Sequence, residues 1–182
     1  MNSIIGSSEV QSMYENKTKE ILTQILRDMD DFAQMKGINY PPIYLLGGSG
    51  CIIADYLNRA TTDLDLLDME YDASMGRLLR ILDRYDLLDF YLTTIPADFK
   101  TRAVKIEEYK NVFVLSLEDI ILSKVGRYND KDIDDIGLLI KKADKALLVD
   151  LIIKVISGLD ISERVKAAFI ENTKLFRERF DV

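Results

Sequence analysis

Leu46-Gly47-Gly48-Ser49, then thirteen residues, then Asp63-Leu64-Asp65-Leu66: a glycine-serine turn is followed at short range by two carboxylates separated by one apolar residue. In an extended strand, residues two apart face the same way, so Asp63 and Asp65 project together while Leu64 and Leu66 enter the core. The apolar flanks Leu64, Leu66 and Leu67 predict a central strand rather than an edge. Same-side carboxylates on such a strand repel each other and lose hydration, and a divalent cation relieves both penalties. Upstream, Gly47 and Gly48 let a ligand approach the backbone closely. Ser49 adds a hydroxyl where the first N–H groups of a helix have no internal partner, an arrangement that favours phosphate. Taken together, the two halves describe a site for a metal-bound nucleoside triphosphate. No Gly-Lys-Ser/Thr follows the glycines, which excludes a P-loop.

Outward from this stretch the pattern is mixed. Residues 11–36 read as an amphipathic helix, with Ile21, Leu22, Ile25, Leu26, Met29, Phe32 and Ala33 at helical spacing and Gly37 as a stop. Pro41-Pro42 precedes a strand over 43–46, and a helix over about 49–57 follows the glycines. Strands are predicted at 63–67, 87–94, 104–106 and 112–115, with a helix at 73–84. After Ser116, which opens a capping-box pattern with Asp119, the chain is helical over 117–127, 132–141, 144–157 and 161–179. The expected fold class is α/β (α+β): a mixed β-sheet flanked by helices over residues 1–115, then a helical bundle over 116–182 packed on it.

The 182 residues are 48% hydrophobic and 30% charged, enough for a real core. Histidine is absent, which excludes serine–histidine triads, histidine-bound zinc and histidine general bases and leaves carboxylates, Lys, Arg and Tyr for any chemistry. The net charge of −7 is uneven: residues 1–99 carry 8 basic and 16 acidic side chains, residues 100–182 carry 16 and 15. Such an acidic chain is a poor general binder of nucleic acid. A basic face in the second half could hold an RNA end, though solvated helix faces are the plainer reading. No secretory signal is visible near Met1, and the most apolar region, 147–156, is too short to span a membrane. The single cysteine, Cys51, has apolar neighbours and reads as a buried thiol, so a cytoplasmic location is expected.

The spacing of Leu46–Ser49 and Asp63–Leu66 resembles the signature of the DNA polymerase beta-type nucleotidyltransferase superfamily. Arg59, Thr61, Asp63 and Asp65 are similar to the Arg-x-Thr-x-Asp-hydrophobic-Asp pattern of a narrower branch. That branch holds uncharacterised bacterial nucleotidyltransferases related to abortive-infection toxins. A second block, Glu118-Asp119, Lys124 and Lys131-Asp132-Ile133-Asp134-Asp135-Ile136, is also similar to that branch. The resemblance implies a nucleotidyltransferase-type sheet and Mg²⁺ (or Mn²⁺) on Asp63 and Asp65. It implies a triphosphate held by Gly48, Ser49 and Lys124, with Asp135 orienting the nucleotide or its lysine. Lys124, Arg127 and Lys131 would share a face if their helix ran unbroken past Tyr128-Asn129. Arg59 either neutralises phosphate or locks the loop before the metal strand.

Catalytic members of the superfamily add a third carboxylate from a neighbouring strand. Asp89 is the first candidate, with Asp86 and Asp98 as alternatives. Tyr40, Tyr44, Tyr56 and Tyr91 are candidates for stacking a base, none singled out. The implied activity is transfer of a nucleoside monophosphate from a nucleoside triphosphate to an RNA end, a protein hydroxyl or a small molecule. A cognate partner protein, as in a toxin–antitoxin pair, fits the branch. The alternative is a catalytically inactive module of the same fold that binds a nucleotide or a partner protein.

Overall fold

The computed structural model describes residues 16–67, 69, 75–76, 78–79, 88–91 (backbone), 94–158 and 162–182. The chain is a mixed α+β protein and divides into two compact units, Met1–Tyr91 with Ile106–Val112, and Leu92–Lys105 with Phe113–Val182. Segment 92–105 and residues 113–115 therefore go with the helices, whereas the sequence-based division at 115/116 keeps them with the sheet.

In the first unit, α1 (Lys19–Lys36) buries Leu22, Ile25, Leu26, Met29 and Ala33 along one stripe. It stops at Gly37, whose φ of 61° lets Ile38 N–H return to Ala33 O at 2.8 Å. The helix starts at Lys19 and not at 11 as the periodicity predicts. Residues 16–18 are outside it because Lys17 spends its backbone N–H and C=O on Thr61; residues 11–15 lie outside the described residues.

β1 (Ile43–Leu45) is wholly buried. It pairs antiparallel with β2 (Leu64–Leu67) through Leu45 and Leu66. β2 in turn runs parallel to β3 (Leu88–Tyr91), with Asp65 opposite Asp89. On its other side, Ile43 N–H donates to Asn111 O at 2.8 Å. β2 is buried at every position, as a central strand is and a half-solvated one is not. Parallel neighbours need a crossover. Within the helix predicted there, Met75-Gly76 and Leu78-Leu79 are helical, with Met75 and Leu78 fully buried; its other residues lie outside the described ones.

Between β1 and β2, α2 spans Gly47–Ile53, earlier and shorter than the predicted 49–57. It begins at once because Gly47, with φ of 57°, turns the chain straight out of β1, and it ends where Asp55 adopts a left-handed φ of 59°.

In the second unit, β4 (Val104–Lys105) pairs antiparallel with the Phe113–Val114 part of β5 (Val112–Val114), Val104 opposite Val114. Four helices follow: α3 (Leu117–Arg127), α4 (Asp130–Leu139), α5 (Lys145–Ser157) and α6 (Glu163–Phe180). Each opens on a side-chain cap, from Ser116, Asn129, Asp144 and Ser162 respectively, which satisfies otherwise orphaned N–H groups. The Asn129 cap moves the start of α4 two residues ahead of the predicted 132 and lets Asp130 and Asp132 sit at the positive helix end. Ile120, Ile121, Leu122, Val125, Leu148, Leu151, Phe169 and Phe176 form the core. Among the described residues, no helix is long and apolar enough to cross a membrane.

Candidate active site

The first unit brings five of the sequence-predicted residues to one place: Gly48, Ser49, Arg59, Asp63 and Asp65. The link is the β1–α2 turn lying against β2. Leu46 N–H donates to Asp65 O at 3.2 Å, and Asp65 N–H donates to Ser49 Oγ at 2.9 Å. In return, Asp65 Oδ2 accepts from Ser49 N–H at 3.3 Å. The Ser49 hydroxyl has two acceptors within reach, Leu46 O at 3.3 Å and Asp65 Oδ2 at 3.4 Å. Ser49 is fully buried and Asp65 nearly so, at 6% exposure. A buried carboxylate needs such donors, since desolvation without them is costly. The serine therefore has a role the sequence does not announce: it bonds both the backbone and the side chain of Asp65.

Glycine is required at both turn positions. A Cβ on Gly47 would stand 2.3 Å from Asp65 Oδ2, and Gly47 has positive φ as well. A Cβ on Gly48 would stand 2.7 Å from Thr61 Oγ1 and 3.2 Å from Arg59 Nη2. The loop before β2 thus folds onto the glycine turn. Arg59 Nη1 donates to Ala60 O at 2.9 Å, so one face of its guanidinium serves the loop itself. Asp63, half-buried immediately before β2, accepts from Thr62 Oγ1 at 2.6 Å. Two hard oxygen donors one residue apart, one nearly buried and one reachable, are the donor set that suits Mg²⁺ or Mn²⁺ rather than a softer ion. Among the described residues, no group of three or more acidic or thiol side chains stands together as a metal site.

Asp89 is placed by its backbone directly opposite Asp65 on the adjacent parallel strand; its side chain lies outside the described residues, as does Asp86. Asp98 belongs to the second unit, where Arg102 Nη1 donates to Asp98 Oδ1 at 2.8 Å and Lys154 Nζ to Oδ2 at 2.7 Å. These bonds, Lys154 first, hold the Asp98 carboxyl below the usual aspartate range. Tyr40 and Tyr44 are buried at 1% and 6% exposure, which removes them as stacking platforms in this conformation. Tyr56 is half-buried and the Tyr91 side chain is not described.

Lys124, Arg127 and Asp135 come together within the second unit, and Asp132 joins them. Lys124 Nζ donates to Asp135 Oδ2 at 2.7 Å and to Asp132 Oδ1 at 3.2 Å. Arg127 grips the same Asp132 with two bonds, at 2.8 and 3.1 Å. The side chain of Lys124 is 3% exposed. Two cations thus meet two carboxylates in a cluster that ties α3 to α4. Tyr128, with φ of 51°, breaks the helix there, so Lys131 lies on α4 and not on a shared face with Lys124 and Arg127.

Sequence reasoning missed Lys17 and Arg102. Thr61 stands inside the motif but gives no sign that its hydroxyl abuts Gly48. Arg102 makes a two-bond contact with the fully buried Asp119 (2.9 and 3.0 Å), and nothing local marks it.

The profile of a family described as "Nucleotidyltransferase of unknown function (DUF6036)" matches residues 20–179, most of the chain. The chain belongs to this family. The match takes in the glycine turn, both aspartates of the β2 segment and the whole Lys124 cluster, and it begins just after Lys17. Comparison with curated proteins and with solved structures gives no match.

Proposed function

We propose that this nucleotidyltransferase-family protein moves a nucleoside monophosphate from a nucleoside triphosphate to an acceptor hydroxyl in a metal-dependent reaction. The observation that carries this reading is the locking of Asp65 to the Gly47-Ser49 turn with Asp63 beside it, half-exposed. The glycine turn and the two carboxylates are thereby held in one frame.

Asp63 and Asp65 would hold the divalent ion. When bound, the ion would neutralise charge on the triphosphate and make the acceptor hydroxyl easier to deprotonate. Gly48 and Ser49 would receive the β and γ phosphates at the start of α2. Arg59, whose guanidinium lies beside Gly48, would neutralise phosphate or lock the loop. The acceptor oxygen would attack the α-phosphorus as the α–β bridging P–O bond breaks, releasing pyrophosphate. The acceptor proton would pass to a carboxylate, for which Asp89, opposite Asp65, is the candidate. Most of the rate would come from alignment and charge neutralisation. An RNA end, a protein hydroxyl or a small molecule would serve as acceptor, with a partner protein as in toxin–antitoxin pairs. A cytosolic location suits the single buried thiol.

A second reading is a nucleotide-binding module without turnover. It is favoured by the engagement of Asp65 Oδ2 with Ser49, which occupies one carboxylate oxygen of the pair.

Titration calorimetry with ATP, GTP, CTP and UTP, with and without Mg²⁺, tests the site. Magnesium-dependent binding by the native protein, lost in the double variant Asp63→Asn/Asp65→Asn, is the expected result. Pyrophosphate release with an added acceptor then separates the two readings. No binding of any triphosphate would sink both.

A further inference from the structure

Lys17 is 2% exposed, in a segment that no motif touches. It forms an isolated antiparallel bridge with Thr61: Lys17 N–H donates to Thr61 O at 2.6 Å, and Thr61 N–H donates to Lys17 O at 3.1 Å. Its ammonium turns the same way and donates to the carbonyl of Thr62, the residue immediately before Asp63. A buried ammonium is strongly disfavoured unless its charge and donors are matched. A hydrophobic residue would make the same backbone bridge without that penalty. The amine adds a hold on Thr62.

The loop held in this way is the one that builds the site. Thr61 sets its hydroxyl 2.7 Å from where a Gly48 Cβ would stand, Arg59 reaches the same glycine, and Thr62 donates to Asp63 at 2.6 Å. Three hydrogen bonds from one residue therefore fix the stretch that faces the phosphate turn on one side and delivers Asp63 on the other.

We propose that Lys17 is a positioning residue of the nucleotide site. Acting through Thr61 and Thr62, it holds the 59–63 loop against Gly48 and fixes the residue that leads into Asp63. This inference rests on the reading of that site as a metal–nucleotide centre.

The test uses the full chain as Lys17→Met and Lys17→Arg, with hydrogen exchange on the 59–63 loop and calorimetry with the four triphosphates and Mg²⁺. In Lys17→Met, amides 61–63 should exchange about tenfold faster, and triphosphate affinity should fall about tenfold, the effect of one lost charge-assisted bond. Exchange in α1 should not change. Lys17→Arg, whose guanidinium reaches the same carbonyl, should restore affinity to within about threefold of native. Unchanged exchange at 61–63, or faster exchange with native affinity, would overturn the inference. So would an arginine variant as weak as the methionine one. If circular dichroism shows that Lys17→Met does not fold, Lys17→Gln takes its place with the same expected results. Native protein that binds no triphosphate would bring down the functional reading and this inference with it. Native binding that Lys17→Met leaves untouched brings down this inference alone.

Discussion

A methyl group at Gly47 would enter the space held by Asp65 Oδ2, 2.3 Å away, on a backbone with φ of 57°. Gly47→Ala should therefore lose about 3 kcal/mol in a denaturant melt, from strain and overpacking together. It should also displace Asp65 and abolish magnesium-dependent triphosphate binding. Asp65→Asn is the informative contrast. It keeps the shape and an acceptor for the Ser49 N–H, so its stability should stay within about 1 kcal/mol of native, while metal-dependent binding is lost. A melt paired with calorimetry checks both. The sequence singles out these residues by the spacing of the glycine turn and the paired acids. Their mutual locking was not legible. That Ser49 serves Asp65 depends on the register of β2 against the turn, which no local pattern encodes.

Between elements, the decisive contact is the one from α3 to α4. Lys124 is buried against Asp132 and Asp135, and Arg127 completes the set. Lys124→Met would leave carboxylates buried without their main cation, and such a loss runs at about 3–5 kcal/mol. Arg127→Met, on a side chain 38% exposed, should be milder, at about 1 kcal/mol. Chemical denaturation of the two variants checks the order. Helices in this half were legible to within two residues, since Ser116 and the apolar stripes announce them. Their ends were less so: Asn129 caps α4 and moves its start forward, and Tyr128 breaks a face that Lys124 and Lys131 share only on paper. At the other end of the chain, periodicity from residue 11 overruns the true start of α1, because a hydrophobic stripe cannot reveal that Lys17 is committed to Thr61, forty-four positions away.

For the molecule as a whole, the absence of histidine shapes the response to pH. No group with an ordinary value near 6.5 titrates, so stability should be flat between about pH 5 and pH 8. The two limbs belong to different residues. Asp98 titrates below the usual aspartate value of 3.8, held down by Lys154 and then Arg102. Its contribution is present above that value and is lost as acid carries the pH through its lower folded value. Tyr40 is raised above its usual 10.0, chiefly by burial and then by its hydrogen bond to Asp30. Its contribution is present below pH 10.0 and fades as base carries the pH above it. Melting midpoints across pH should show Asp98→Asn with a shallower acid limb and Tyr40→Phe with a shallower alkaline one. The class of fold was legible at this scale from the change of pattern at Ser116. The division into units was not, because segment 92–105 has strand-like composition yet goes with the helices.

Cys51 sits fully buried within α2, two residues after Ser49. A thiol reagent can reach it only when that short helix opens. The lone thiol is therefore a built-in clock: at saturating reagent, its rate of labelling counts how often the glycine turn and its helix come apart, with no probe added. Slower labelling with a triphosphate and Mg²⁺ present would show the ligand closing the turn, one residue at a time, in the unaltered protein.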